Sequence, residues 1–110
     1  MVLELFSEHC APCAISLPSA EEAHRSRPEV TFIGLSVDDD AGGAARMAER
    51  HRLTFPVVHD EGRVLAGRHR LTELPSTVIA DKQGTVRWVG TRALSTDELL
   101  RAIDGVAGPR

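Results

Sequence analysis

The chain reads as an α/β protein, a central mixed β-sheet flanked by helices in the order β-α-β-α-insert-β-β-α. Three observations carry that reading. Two apolar runs, residues 2–6 and 30–37, flank a helical stretch; a strand, helix and strand so spaced form a βαβ unit with parallel pairing. Two further strand patterns, residues 74–81 and 85–90, are joined by Lys82-Gln83-Gly84, which predicts an antiparallel hairpin. Finally, Ser95-Thr96-Asp97-Glu98 is a capping box that opens a last helix. At 110 residues the chain fits one domain, residues 1–110, with one core.

Composition narrows the function classes. The net charge of −3 is mild and the basic residues are scattered rather than massed, which argues against a nucleic-acid partner. No apolar run approaches membrane-spanning length, so no insertion within this chain is expected. The first residues have neither a charged leader nor the long apolar stretch and cleavage site of a signal peptide. The expected location is cytoplasmic if the chain is complete, and extracytoplasmic if a leader or anchor has been removed. A monomer is expected.

Each element has its own justification. Val2 to Phe6 is a short buried strand, apolar on both faces except at Glu4. Ionised, that carboxylate is costly to bury. It either points to solvent from an edge strand, or lies behind the following loop with a raised pKa and handles a proton.

The next stretch, Phe6-Ser7-Glu8-His9-Cys10-Ala11-Pro12-Cys13, holds both cysteines of the protein. Positions three apart share one helix face, so the two thiols come within disulfide reach. Cys10 is expected as N-cap, where free N–H groups and the positive end of the dipole favour a thiolate. Pro12 is tolerated in the first turn and stiffens the loop between the thiols. Two cysteines are too few for a disulfide scaffold or a four-cysteine zinc site. A structural bridge is the competing reading, but one closing so short a loop constrains the unfolded chain little. A redox pair is the better reading beside a βαβ pattern.

The helix is expected to reach about His24-Arg25, with Ala14, Leu17 and Pro18 toward the core and Glu21, Glu22 and Arg25 toward water. Pro18 should kink it. After the second strand, Asp38-Asp39-Asp40 offers solvated N-caps to a helix over about residues 41–52, whose first turn Gly42-Gly43 weakens. Phe55-Pro56-Val57-Val58 is a short extended piece, and residues 61–69 suggest a small helix. His51, His59 and His69 are isolated surface or packing residues. Pro75 stands at the start of its strand, where proline is allowed. The last helix places Leu99, Leu100, Ile103 and Val106 on one face, and Gly105, or Gly108 with Pro109, ends it.

With this element order, Cys10-Ala11-Pro12-Cys13, Pro18 five residues beyond Cys13, and Leu74-Pro75-Ser76-Thr77 together resemble the thioredoxin superfamily over nearly the whole chain. The run from Leu74 to Gly84 and the insertion beginning at Phe55-Pro56 are similar to thiol-disulfide oxidoreductases of the TlpA and ResA type. The resemblance implies a thioredoxin-like fold, a cis Leu74–Pro75 bond, and a role for Glu4, which lies where thioredoxin carries its buried aspartate. It departs at His9, where the family usually has tryptophan, and at the start, where TlpA-type relatives carry a β-hairpin and an anchor or signal segment.

The expected activity is thiol–disulfide exchange, most readily the reduction of protein disulfides. Cys10 would attack and Cys13 resolve, with Glu4 taking the Cys13 proton. Pro75, if cis, would present the backbone of Leu74 to an extended substrate chain. His9, Ala11, Pro12, Leu74 and Ser76 would line the substrate contact. No cofactor beyond the Cys10–Cys13 disulfide is expected; the partners would be protein dithiols and disulfides and an upstream electron donor. The alternative is a Cu(I)-binding or metallochaperone module using His9, Cys10 and Cys13. A peroxidase reading is weaker, because no Thr-x-x-Cys motif stands at the first helix.

Overall fold

The computed structural model describes residues 1–107. The elements are β1 (Val2–Phe6), α1 (Cys13–Ser26), β2 (Phe32–Ser36), α2 (Gly42–Arg50), β3 (Val57–His59), α3 (Val64–Arg68), β4 (Ser76–Ala80), β5 (Val86–Gly90) and α4 (Thr96–Ala107). They build a five-stranded sheet in the order β3-β2-β1-β4-β5. β1 and β2, and β2 and β3, pair in parallel, whereas β4 runs antiparallel to both β1 and β5. The sheet is therefore mixed, with the parallel βαβ unit and antiparallel hairpin that the patterns predict and the thioredoxin-like arrangement that the resemblance implies.

Side chains alternate across β1, and that alternation divides the core. Val2 packs with Ala20 and Ala23 of α1 and with Leu99 and Ile103 of α4. Phe6, on the same face, packs with Cys13 and Leu17 of α1 and Met47 of α2. Leu5 points the other way, onto Leu35, Val78 and Ala66 of α3. Glu4 thus belongs to the face that carries the first cysteine-bearing helix. Gly34 is its neighbour in register on β2. A Cβ at Gly34 would lie 3.1 Å from Val57 Cγ2 and 3.2 Å from the rings of Phe55 and Phe6, so glycine lets these side chains close over the sheet.

Several expectations are corrected. α1 begins at Cys13 with Pro12 as N-cap, so Cys10 precedes the helix instead of capping it. Its buried side is Cys13, Ser16, Leu17, Ala20, Glu21 and Ala23, while Ala14 and Pro18 are exposed. Small residues on the buried side and Ile15 on the exposed one rotate the apolar stripe away from where size alone would put it. The small helix over residues 61–69 is broken: Gly62 and Arg63 take positive φ of 66° and 56°, and α3 starts only at Val64. Buried Asp60 then accepts the N–H groups of Leu65 and Ala66 at 3.0 and 2.9 Å. α4 runs through Gly105; Gly108 and Pro109 lie outside the described residues. The capping box is as read, with Ser95 Oγ accepting Glu98 N–H at 3.1 Å and Glu98 Oε1 accepting Ser95 N–H at 3.0 Å.

Candidate functional site

β1 ends at Phe6, and seven residues later the chain enters α1; the two cysteines lie at that turn. Cys10 N–H donates to Ser7 O, and Cys13 N–H and Ala14 N–H donate to Cys10 O and Ala11 O at 3.1 Å. The turn is thus wound in a tight three-residue repeat that leads into α1. Cys10 and Cys13 are joined as a disulfide with Cα atoms 5.4 Å apart. The two sulfurs are not equivalent. Cys13 is fully buried against Phe6 and Leu17, whereas Cys10 is half-buried and flanked by exposed His9, Ala11 and Pro12.

The Leu74–Pro75 peptide is cis, and Pro75 is fully buried. Leu74, half-buried, packs against the cluster that holds Cys13 and Cys10, so the two segments meet. Ser76 is buried, and its hydroxyl donates to Glu73 O, tying down the strand entry.

Glu4 is 1% exposed. Thr77 Oγ1 donates to its Oε1 at 2.8 Å, and Oε2 has no partner among the described residues. Burial pushes its pKa up to about 8 against the opposing pull of the Thr77 hydrogen bond. Of the two readings of this residue, solvent-facing or sealed in, the second holds.

Sequence reasoning missed Asp38. The expectation of a solvated cap holds for Asp39 and Asp40, which are exposed, with Asp40 Oδ1 accepting Gly42 N–H at 2.9 Å. Asp38 is instead buried under the loop that leads to Cys10. Its carboxylate accepts Ser7 Oγ–H at 2.7 Å, Glu8 N–H at 3.1 Å and Ser36 Oγ–H at 3.0 Å. Burial raises its pKa, but the hydrogen bonds from Ser7, Glu8 and Ser36, helped by the charge of His9, outweigh it and hold the carboxyl below its ordinary value. The one available signal was Ser36-Val37-Asp38, where strand alternation places Ser36 and Asp38 on the same side. Glu8, beside Cys10, is gripped by Arg46 of α2 at 2.8 and 2.7 Å, and Arg46 also bonds Asp40. Among the described residues, no three His, Cys, Asp or Glu side chains form a group that could hold a metal ion. No helix among them is long and apolar enough to cross a membrane.

A disulfide with one buried and one more accessible cysteine, a buried carboxyl on the same sheet face and the adjoining Leu74–Pro75 segment can together support thiol–disulfide chemistry. Comparison with known proteins points the same way. Residues 1–89 match the AhpC/TSA family. The chain is similar to the thiol-disulfide oxidoreductase ResA of Geobacillus kaustophilus, 24% identical over 106 residues that cover 94% of this chain and 61% of that protein. It is 28% identical over 86 residues to ResA of Bacillus anthracis, covering 76% of this chain and 50% of that one. The chain thus spans between half and six-tenths of the curated relatives it matches. Among solved structures, a secreted Mycobacterium tuberculosis disulfide oxidoreductase homologous to E. coli DsbE superposes with a TM-score of 0.84 at 26% identity, covering 93% of this chain and 78% of that one. StoA of Bacillus subtilis, with a TM-score of 0.81 at 17% identity over 94% of this chain and 81% of that one, shares the fold.

Proposed function

The chain belongs to the AhpC/TSA family, and from that premise we propose that it is a thiol–disulfide oxidoreductase whose working direction is reduction of protein disulfides. The unequal burial of Cys10 and Cys13 is the observation that supports two-thiol exchange, with Cys10 attacking and Cys13 resolving. An attacking thiol must meet a bulky partner; a resolving thiol must not.

In the reduced protein the Cys10 thiolate attacks one sulfur of a substrate disulfide. A Cys10–substrate bond forms, the substrate S–S bond breaks, and the departing thiolate takes a proton from water. Cys13, deprotonated, then attacks Cys10 Sγ and expels the second substrate thiolate. Two electrons have passed from the cysteine pair to the substrate, leaving the Cys10–Cys13 disulfide for a dithiol donor to reduce. Glu4 is suited to receive the Cys13 proton. With a pKa of about 8, roughly one molecule in ten is ionised at pH 7. Its proton affinity is close to that of a thiol, so transfer is nearly balanced in either direction. Leu74, Ser76, His9, Ala11 and Pro12 would form the rim on which an extended substrate segment lies. The secreted character of the M. tuberculosis neighbour favours work outside the cytoplasm, where protein disulfides persist.

The test is reduction of insulin coupled to a dithiol donor. Cys10→Ser should abolish it, and Cys13→Ser should accumulate mixed disulfides with substrate. Full activity in Cys13→Ser would reject the two-thiol scheme.

A further inference from the structure

We propose that Asp38 is a positioning residue for the Cys10–Cys13 couple, a buried carboxylate that holds the Ser7-Glu8-His9 loop in place and thereby makes the couple more reducing. The inference rests on the reading of the pair as redox-active. Three segments meet at this side chain. β2 supplies Ser36, whose hydroxyl donates to Asp38 Oδ2 at 3.0 Å. The loop supplies Ser7 Oγ–H at 2.7 Å to Oδ1 and Glu8 N–H at 3.2 and 3.1 Å to the two oxygens. α2 supplies its first turn: a Cβ on Gly43 would lie 2.6 Å from Asp38 Oδ2, so only glycine lets that turn close down on the carboxylate. The backbone of Asp38 is fixed as well, its carbonyl accepting His59 Nε2–H at 2.8 Å.

The anchoring reaches Cys10 in two short steps. Ser7 Oγ, while donating to Asp38, accepts His9 N–H at 3.1 Å, and Ser7 O accepts Cys10 N–H at 3.2 Å. One carboxylate therefore sets the loop from which Cys10 projects. Holding Cys10 near Cys13 raises the effective concentration of one sulfur at the other, which favours the disulfide over two free thiols. A buried anion near the pair also disfavours the Cys10 thiolate, and so the reduced form. Both effects act in the same direction. Removing Asp38 should destabilise the disulfide relative to the dithiol and make the pair a stronger oxidant.

The experiment equilibrates wild-type protein and variants with glutathione buffers and measures the fraction oxidised, together with the pH dependence of Cys10 alkylation in the reduced protein. Asp38→Asn keeps the shape and one of the two acceptor oxygens but removes the charge; Asp38→Ala removes the whole group. Ser7→Ala cuts the hydroxyl link to the loop while leaving the charge and the Glu8 N–H bonds, and its small change guards against a variant that does not fold. Val78→Ala, on the opposite sheet face, controls for lost stability alone. We expect the equilibrium constant for disulfide formation to fall about tenfold in Asp38→Ala, equivalent to about 30 mV, less in Asp38→Asn and Ser7→Ala, and not at all in Val78→Ala. The Cys10 alkylation profile should shift to lower pH in Asp38→Asn. A constant that moves no further in the Asp38 and Ser7 variants than in Val78→Ala would overturn the role of Asp38. A wild-type pair that does not exchange with glutathione would instead overturn the redox couple itself.

Discussion

Glu4 and Asp38 are both buried carboxyls, yet their proton affinities move in opposite directions. Asp38 has enough donors around its ionised form to outweigh burial, whereas among the described residues Glu4 has Thr77 alone, and burial pushes it up to about 8. That difference has a consequence for stability. In the unfolded chain Glu4 ionises near 4.5, and in the folded protein near 8, so between those values the native state binds more protons than the unfolded one. The stability that Glu4 contributes is fully present below about pH 4.5, declines as the pH rises, and is gone above about 8. At about 1.4 kcal/mol per pH unit the loss is on the order of 5 kcal/mol at most, a large share of the 5–15 kcal/mol that holds a typical domain together. Glu4→Gln cannot ionise, so its contribution to this slope should vanish. Urea unfolding at pH 5, 7 and 9 checks this; a variant as steep as wild type would reject a buried, ionising Glu4. The same substitution should also remove the dependence of Cys13 alkylation on a group titrating near pH 8, and an unchanged profile would reject the proton-transfer role.

At the scale of elements, α1 is tied to the segment before β3 by a side chain expected in water. Glu21 is buried, and its carboxylate accepts Thr54 N–H, Thr54 Oγ–H and Arg25 Nε–H, each at 2.7 Å. Burial raises its pKa, but these three donors outweigh burial and leave it lowered. Glu21→Ala removes the acceptor of all three bonds, and we expect a loss of roughly 1–2 kcal/mol in denaturant unfolding. Cys10 alkylation should stay at the wild-type rate, since the site lies two turns away along α1; a slowed rate would show that this tie also shapes the redox turn. Glu21 and Asp38 mark where sequence reasoning stops. The βαβ unit, the hairpin and the Ser95 capping box are legible because each is signalled within a few residues by periodicity, glycine or a cap. The cysteine pair is legible for the same reason. Glu21 and Asp38 acquire their partners from segments about thirty residues away, and an acidic residue read alone defaults to solvent. The broken helix at Gly62-Arg63 was hidden differently, because nothing in the composition of that segment announces a left-handed arginine.

For the molecule as a whole, redox potential and folding stability are two sides of one thermodynamic cycle. The Cys10–Cys13 bridge closes a loop of only four residues, so it restricts the unfolded chain little, and loop closure alone adds about 2 kcal/mol. Any larger gap between oxidised and reduced protein must come from the fold: the cost of burying the Cys13 thiol beside Phe6 and Leu17, the anion of Asp38 under the loop, and Glu4 on the same face. A reductase needs these to favour the disulfide, because a pair that readily becomes oxidised readily gives electrons away. The oxidised protein should therefore unfold at higher denaturant than the reduced one. Each 30 mV by which the folded pair is more reducing than the same cysteines in the unfolded chain should appear as about 1.4 kcal/mol of added stability. Unfolding curves with and without reductant, set beside the glutathione equilibrium of the native protein, measure both sides of the cycle. A reduced form that outlasts the oxidised one would reverse the proposed direction and make the protein a donor of disulfides, with the cysteine chemistry intact.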